Sequence, residues 1–503
     1  MNKYLKYFTI SLLTVFYVSC NDDDINNEDP GGAVFDLYFY SLEEVETAVN
    51  GCYQTFFGGG LYSDAASTIV VGDALSDNLI QNPGGRGTLT TGYNWLYNSG
   101  TGAPTNIYNT GYKLVSRANA ILNNSDTYLI DSLMTDADAQ VKRELLAEAR
   151  ALRAIGHFEV AKSFVKIPTQ SADANTSVGI AYVDVFDPLA QPTRLSTVAE
   201  VYDRIIEDLL AAYEEIPASN GSSFRLNKTS VAAMLAKVYL YMGQYDKVIE
   251  YATPVVNSVP VCAATDVANY WRSNLPEGES GAIFETHVFS TSETFPPKIG
   301  VNYSQGSNSS LKAEFVADKA FYDLFGSDDK RRTPYFKVVT PLGFEPIISV
   351  NKYMNGAYGE GMHRGRYIRV EDVLLNLAEA QYLTGDQGGA LLTLNKLRDE
   401  RYTSYTGGET GDDLFNAIQL ERRKEFAFEG DRFYTVKRLL GVPGIPSQYH
   451  QGMVRSGNGH NADGSGVPPA YLILDATARE WQFPLNNSVL IYNPNMTQTP
   501  GYE

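Results

Sequence analysis

Residues 421–438 read ERRKEFAFEGDRFYTVKR, and ten of these eighteen residues are charged. Glu421, Glu425 and Glu429 fall four apart, so a helix sets them in one stripe. Paired carboxylates are the working groups of glycoside hydrolases, which opens two readings of the stretch, chemistry or scaffold. Its acids are interleaved with Arg422, Arg423, Lys424, Arg432, Lys437 and Arg438, and Ile418, Phe426 and Phe433 supply an apolar face. Gly430 ends one helix and starts a second. A catalytic acid needs a tuned or unpaired setting. Carboxylates among this many cations are expected to be held ionised in salt bridges between helices. The stretch reads as scaffold.

Helical patterns continue on its N-terminal side. SLEEVETAVNGCYQTFF opens with Ser41 and has Glu44 three residues later, a capping box. Residues 106–124 place Ile107, Leu114, Val115, Ala118, Ile121 and Leu122 at helical spacing. Residues 139–165 form a long helix closed before Pro168, and RLSTVAEVYDRIIEDLLAAYEEIP forms another, capped by Ser196 or Thr197 and stopped at Pro217. Two segments look like one unit used twice. LAKVYLYMGQYDKVIEYA starts at Leu235 and LAEAQYLTGDQGGALLTLNKL at Leu377, with Gly243 and Gly385 ending the first helix of each. This is the helical-hairpin pattern of a tetratricopeptide repeat with relaxed spacing, and such units must stack to bury their faces. Between them, at about 258–365, the periodicity fades into Gly, Pro, Ser, Asn and aromatics, and Ala282 to Phe289 alternates as a strand would. A loop-rich insertion of this length is usually functional. The predicted fold is mainly α, a tetratricopeptide-like helical-hairpin scaffold with a loop-rich, partly β capping subdomain.

Composition narrows the function. The net charge of −19 argues against nucleic acid, which needs a basic footprint. Cys20, Cys52 and Cys262 form no CxxC pair, the five histidines form no HExxH, and no GxSxG or phosphate-binding loop occurs. No metal or cofactor is expected. The GNGHNADGSG run from Gly457 carries Asn458, Asn461 and Asp463, but not at the spacing of an EF-hand, and reads as a flexible loop. The start, MNKYLKYFTISLLTVFYVSC, has Lys3 and Lys6, an apolar run from Tyr7 to Val18, and small Ser19 before Cys20. That is a secretory signal, too short to span a bilayer comfortably. A cysteine at its end resembles a bacterial lipobox, with Tyr17 where leucine is usual. Cys20 is then the lipidated first residue, and the acidic NDDDINNEDPGG that follows is a tether.

The chain resembles the SusD/RagB family of nutrient-binding outer-membrane lipoproteins of Bacteroidetes. The resemblance is carried by RANAIL (117–122), AEARALRAIGHFEVAKSF (147–164), LNLAEAQYLTGD (375–386), NKLRDER (395–401), the 421–438 stretch and the ending WQFPLNNSVLIYNPNMTQTPGYE (481–503). It implies a lipoprotein signal peptide (1–19), a lipidated tether (20–34) and a single unit (35–503). Within that unit it places the helical scaffold at about 105–257 and 366–440, the inserted subdomain at about 258–365 and a C-terminal loop region at 441–503. It further implies a non-enzymatic protein anchored by lipid in the outer membrane and exposed at the cell surface. Such a protein captures a glycan, or in some branches a peptide, and passes it to a TonB-dependent, SusC-like transporter. A glycoside hydrolase is the third alternative.

A sugar-binding surface needs flat aromatic faces and a few orienting polar groups, and 34 tyrosines make such faces plentiful. The best stretch is GDALSDNLIQNPGGRGTLTTGYNWLYNSG (72–100), which carries Asp73, Asp77, Asn78, Arg86, Tyr93, Trp95 and Tyr97. Trp95 is the first candidate for a stacking platform. Tyr270, Trp271 and Arg272, with Tyr303, form a second cluster, whereas Trp481 is expected in the core.

Overall fold

The computed structural model describes residues 39–56, 61–62, 67–101, 104–288, 299–303, 305, 313–354, 356–359 and 362–503. The signal segment, Cys20 and the acidic tether lie outside the described residues.

Ser41 opens α1 (Leu42–Tyr53) with the expected capping box, its hydroxyl accepting from Glu44 N while the Glu44 carboxylate accepts from Ser41 N. The short α2 (Thr68–Ala74) is followed by two long helices packed on each other, α3 (Thr105–Tyr128) and α4 (Asp136–Phe164). Thr197, rather than Ser196, caps α5 (Val198–Glu215), again through a capping box with Glu200. The first hairpin is α6 (Lys228–Met242) and α7 (Tyr245–Ser258), turned by left-handed Gly243. The second is α8 (Val370–Leu383) and α9 (Gln387–Arg401), turned through Gly385 at φ +90°. The hairpins stack through α7 on α8, which buries the faces a lone repeat leaves bare. The 421–438 stretch spans the end of α10 (Gly411–Glu425) and nearly all of α11 (Asp431–Leu439). Lys437 on α11 donates to the backbone oxygens of Lys162 and Val165 at 2.7 and 2.8 Å, closing the end of α4.

Among the described residues, strands are few and paired in twos. Antiparallel pairs join β1 (Leu79–Gln81) to β3 (Phe315–Ala317) and β2 (Ala282–Glu285) to β6 (Arg366–Arg369). The other two join β4 (Phe336–Val339) to β5 (Ile347–Val350) and β7 (Gly452–Val454) to β8 (Ile473–Asp475). The first pair stitches the loop-rich insertion to the N-terminal segment, with Val316 opposite Ile80. One core runs through the helices and under the insertion, while Ile80, Val316, Val339 and Ile347 form a small separate cluster beneath the β4–β5 hairpin. Trp481 is fully buried and stacked on Phe433 at 5.1 Å, as a core residue should be. Cys52 and Cys262 are buried free thiols.

The three glutamates of 421–438 are buried and paired. Glu425 receives Arg331 at 3.0 Å, Arg369 at 2.8 Å and Arg401 at 2.8 Å. Glu421 pairs with Arg331, and Glu429 with Arg369 and Lys352. Burial alone would push the Glu425 carboxyl up; the guanidiniums, Arg401 foremost, overcome this and hold it well below the usual carboxylate range. Gly430 meets α2 backbone to backbone. A Cβ there would lie 2.3 Å from Thr68 O, and one on Gly72 would lie 2.1 Å from Gly430 O. Gly430 N also donates to the buried Asp73 carboxylate at 2.5 Å.

Candidate functional site

The aromatic platforms expected from the sequence face inward. Trp95 is 5% exposed, donates its indole N–H to Leu75 O at 3.0 Å, and is covered by the Arg455 guanidinium 3.8 Å from the ring centre. The same guanidinium lies 4.0 Å from the ring centre of Tyr93, which is buried, and donates to Tyr93 O. Tyr97 is buried and gives its hydroxyl hydrogen to Glu480 O. Asp77 is bound by Arg432 at 2.8 Å and Arg423 at 3.1 Å, and Asn78 accepts from Arg423 while donating to Asp73. In the second cluster, buried Tyr270 and Trp271 pack edge to face at 5.1 Å, Arg366 covers Tyr270, and Lys352 Nζ sits 3.8 Å from the Trp271 ring. Tyr303 is buried against Tyr353. These eight residues are therefore core rather than ligand platforms: each cation or ring that a ligand would need is already engaged by the protein. Trp95 and Trp271 belong to the interior and form no open arc.

Arg86 alone of the set is exposed, and it marks a loop built beside an open groove. The buried Glu314 carboxylate organises this loop, accepting from Arg86 N at 2.7 Å, Gly87 N at 3.1 Å and Gln81 Nε2 at 3.0 Å. Arg86 itself donates to Asn302 Oδ1 at 2.6 Å. Asn82 follows β1 and is tied to Glu314 O and Ala313 O. It lines both an open groove of about 760 Å³ and a smaller cleft of about 250 Å³. The larger groove is walled by Gln305, the tip of the β4–β5 hairpin (Thr340 to Glu345), Ile347, His460 and Asn461. The smaller runs on past Gln81, Thr90 and Asn94 to Val467–Ala470.

Two turns make the groove walls. At the hairpin tip, Pro341 and Gly343 at φ +78° turn the chain, and Phe344 N donates to Pro341 O. Leu342 and Phe344 then face water, Phe344 being 50% exposed. The opposite wall is the GNGHNADGSG run, which is laced together by its own hydrogen bonds. Gly459 N donates to Gly464 O, Asn461 N to Ser465 O, Ser465 N to Asp463 Oδ1, and Ala462 N across the groove floor to Pro346 O at 2.7 Å. Asn458 and Ser456 anchor the run on Asp318. Among the described residues no group of three or more His, Cys, Asp or Glu is placed to hold a metal. The hairpin tip and His460 escaped the sequence reading; the signals for them were a Pro-x-Gly-aromatic turn inside the loop-rich insertion and the density of glycines after 456.

Comparison with known proteins places this architecture. A profile described as SusD-like, starch-binding associating with outer membrane, matches residues 60–240, and a second, described as the SusD family, matches residues 344–502. The chain belongs to the SusD family. A SusD-like protein P2 of Formosa agariphila is 25% identical with all of both chains covered. A SusD superfamily protein of Bacteroides vulgatus superposes with a TM-score of 0.76 at 22% identity, over 92% of this chain and 100% of that one. Surface glycan-binding protein A of Bacteroides uniformis does so with a TM-score of 0.71 at 18% identity, over 92% and 100%. These SusD-like folds share the helical architecture of this chain. No described helix is long and apolar enough to cross a membrane.

Proposed function

We propose that this SusD-family protein is a non-enzymatic, cell-surface glycan receptor, held to the outer membrane by lipid on Cys20 and delivering its ligand to a TonB-dependent, SusC-like transporter. The observation that carries the reading is the composition of the groove between Asn82, the β4–β5 hairpin tip and the 457–467 loop. Amide, hydroxyl and imidazole groups line it together with a half-exposed phenyl ring, Phe344, the mixture that holds a sugar by hydrogen bonds and a stacked face. Family membership supports it, as does the matching of a profile described as starch-binding and associated with the outer membrane. Among the described residues that line the groove Glu345 is the one carboxylate, whereas the usual glycosidase mechanism takes two. On this reading the unit from residue 35 onward works as a single body, with the insertion shaping the ligand face.

Affinity electrophoresis of the secreted protein through gels containing different polysaccharides is the test. Retention by at least one glycan, weakened by Phe344→Ala at unchanged melting temperature, is the expected result. Retention that Phe344→Ala leaves intact would move the site elsewhere. Binding to a peptide library with no glycan retained would favour the peptide-binding branch, and cleavage of a bound oligosaccharide would make the protein an enzyme. Palmitate incorporation that disappears in Cys20→Ala checks the anchor, and co-purification of a β-barrel transporter with the wild type checks the partner.

A further inference from the structure

Two ligand-facing groups in the groove are left unpaired by the fold. His460 Nδ1 accepts from Val467 N at 3.0 Å, which leaves Nε2 as the ring's donor. Nε2 has no hydrogen-bond partner among the described residues, and neither has the exposed Glu345 carboxylate on the opposite hairpin tip. Both line the same groove. The ring is fixed by construction: a Cβ on Gly466, at φ +92°, would lie 2.8 Å from His460 Cε1 and Nδ1, and one on Gly459 would lie 2.2 Å from Ser465 O. Internal hydrogen bonds and obligatory glycines on an exposed loop serve to hold one side chain in one place.

Among the described residues, no lysine or arginine lines either the groove or the cleft that continues it. Carboxylated and sulfated sugars are normally held by such cations. Here they would meet an unneutralised carboxylate on a chain of net charge −19.

We propose that His460 and Glu345 together select a neutral sugar, the Nε2–H donating to one hydroxyl oxygen and the carboxylate accepting from another hydroxyl, and that Glu345 excludes uronate and sulfated sugars from the groove. The proposal rests on the glycan-receptor reading. It adds the chemical class of the glycan and the two residues that choose it.

The experiment measures retention of the full secreted chain against neutral probes (glucans, xylans and mannans) and against polygalacturonate and sulfated galactans, confirmed by calorimetry with oligosaccharides of each. The wild type is expected to bind a neutral probe and none of the anionic ones. His460→Ala should weaken that binding about tenfold, as the loss of one directed hydrogen bond does, at unchanged melting temperature. Gly466→Ala should act in the same direction from outside the ligand contact, by displacing the ring. Glu345→Gln should admit polygalacturonate. Wild-type preference for an anionic probe overturns this inference and leaves the receptor reading standing. So does neutral binding unaltered in both His460→Ala and Glu345→Gln. Failure of every glycan, neutral and anionic, removes the receptor reading and this inference with it.

Discussion

Glu425 shows how a motif that looks like chemistry becomes structure. Three guanidiniums converge on one buried carboxylate, so Glu425→Gln strands positive charge without water to solvate it and should cost about 3–5 kcal/mol in urea unfolding. Arg432→Ala leaves buried Asp77 with Arg423 alone and should cost about 1–3 kcal/mol. A stable variant of either kind that lost only ligand binding would contradict the scaffold role. His157 carries a pH dependence. Its ring is buried on Tyr182 at 3.9 Å, Nε2 accepts from Val183 N, and burial pushes its pKa from the ordinary 6.5 down to about 3. His363 is likewise pushed down, to about 4. The unfolded chain takes up these protons below about pH 6.5 and the native chain does not, so this stability is full above that pH and drains away as the pH falls toward the folded values. Asp73, pushed up to about 7 by burial, works in the opposite sense: its contribution falls as the pH rises from about 4 to about 7. In His157→Gln the melting temperature should therefore fall less than in wild type between about pH 7 and about pH 4.5. Parallel declines would rule out His157 as a source of acid lability.

At the scale of elements, the contact of α2 with the α10–α11 junction is made by backbone on backbone. Gly72→Ala and Gly430→Ala each put a methyl where a carbonyl stands, and Gly430→Ala adds strain at φ +80°. Each should lower stability by about 1–3 kcal/mol or more, read as a drop in melting temperature, with the larger loss at Gly430. The elements themselves were legible in the sequence because their causes are local. Helical apolar spacing set α3 and α4, the capping box at Ser41 and a cap at Ser196 or Thr197 set two starts, and Gly243 and Gly385 marked two turns. The direction of the aromatics was not legible. Polar and aromatic residues alternate around Trp95 as they would on a binding surface, yet the residue that buries it, Arg455, lies 362 positions beyond Tyr93, whose backbone it also holds. Nothing local announces that partner. The same holds for the groove, whose walls come from residues near 82, 344 and 460.

For the whole molecule, the interior position of the predicted platforms separates folding from recognition. Trp95→Ala removes a ring packed under Arg455 and should cost about 3–5 kcal/mol, reducing binding of every glycan alike through loss of folded protein. Phe344 is half-exposed, so on the proposed reading its truncation should change recognition more than folding. The bond from Gly430 N to Asp73 spans 357 residues, and the Arg423 and Arg432 pairs to Asp77 span 346 and 355. Asp77 therefore gains its arginines, and Asp73 its Gly430 partner, only when the last hundred residues arrive. Such pairings raise contact order and delay the final folding step. During synthesis the chain therefore carries Asp73 without its Gly430 partner and Asp77 without its two arginines until that end is made. A fragment ending before residue 421 should accordingly be insoluble, and proteolysis should find the full chain resistant only after its end has joined.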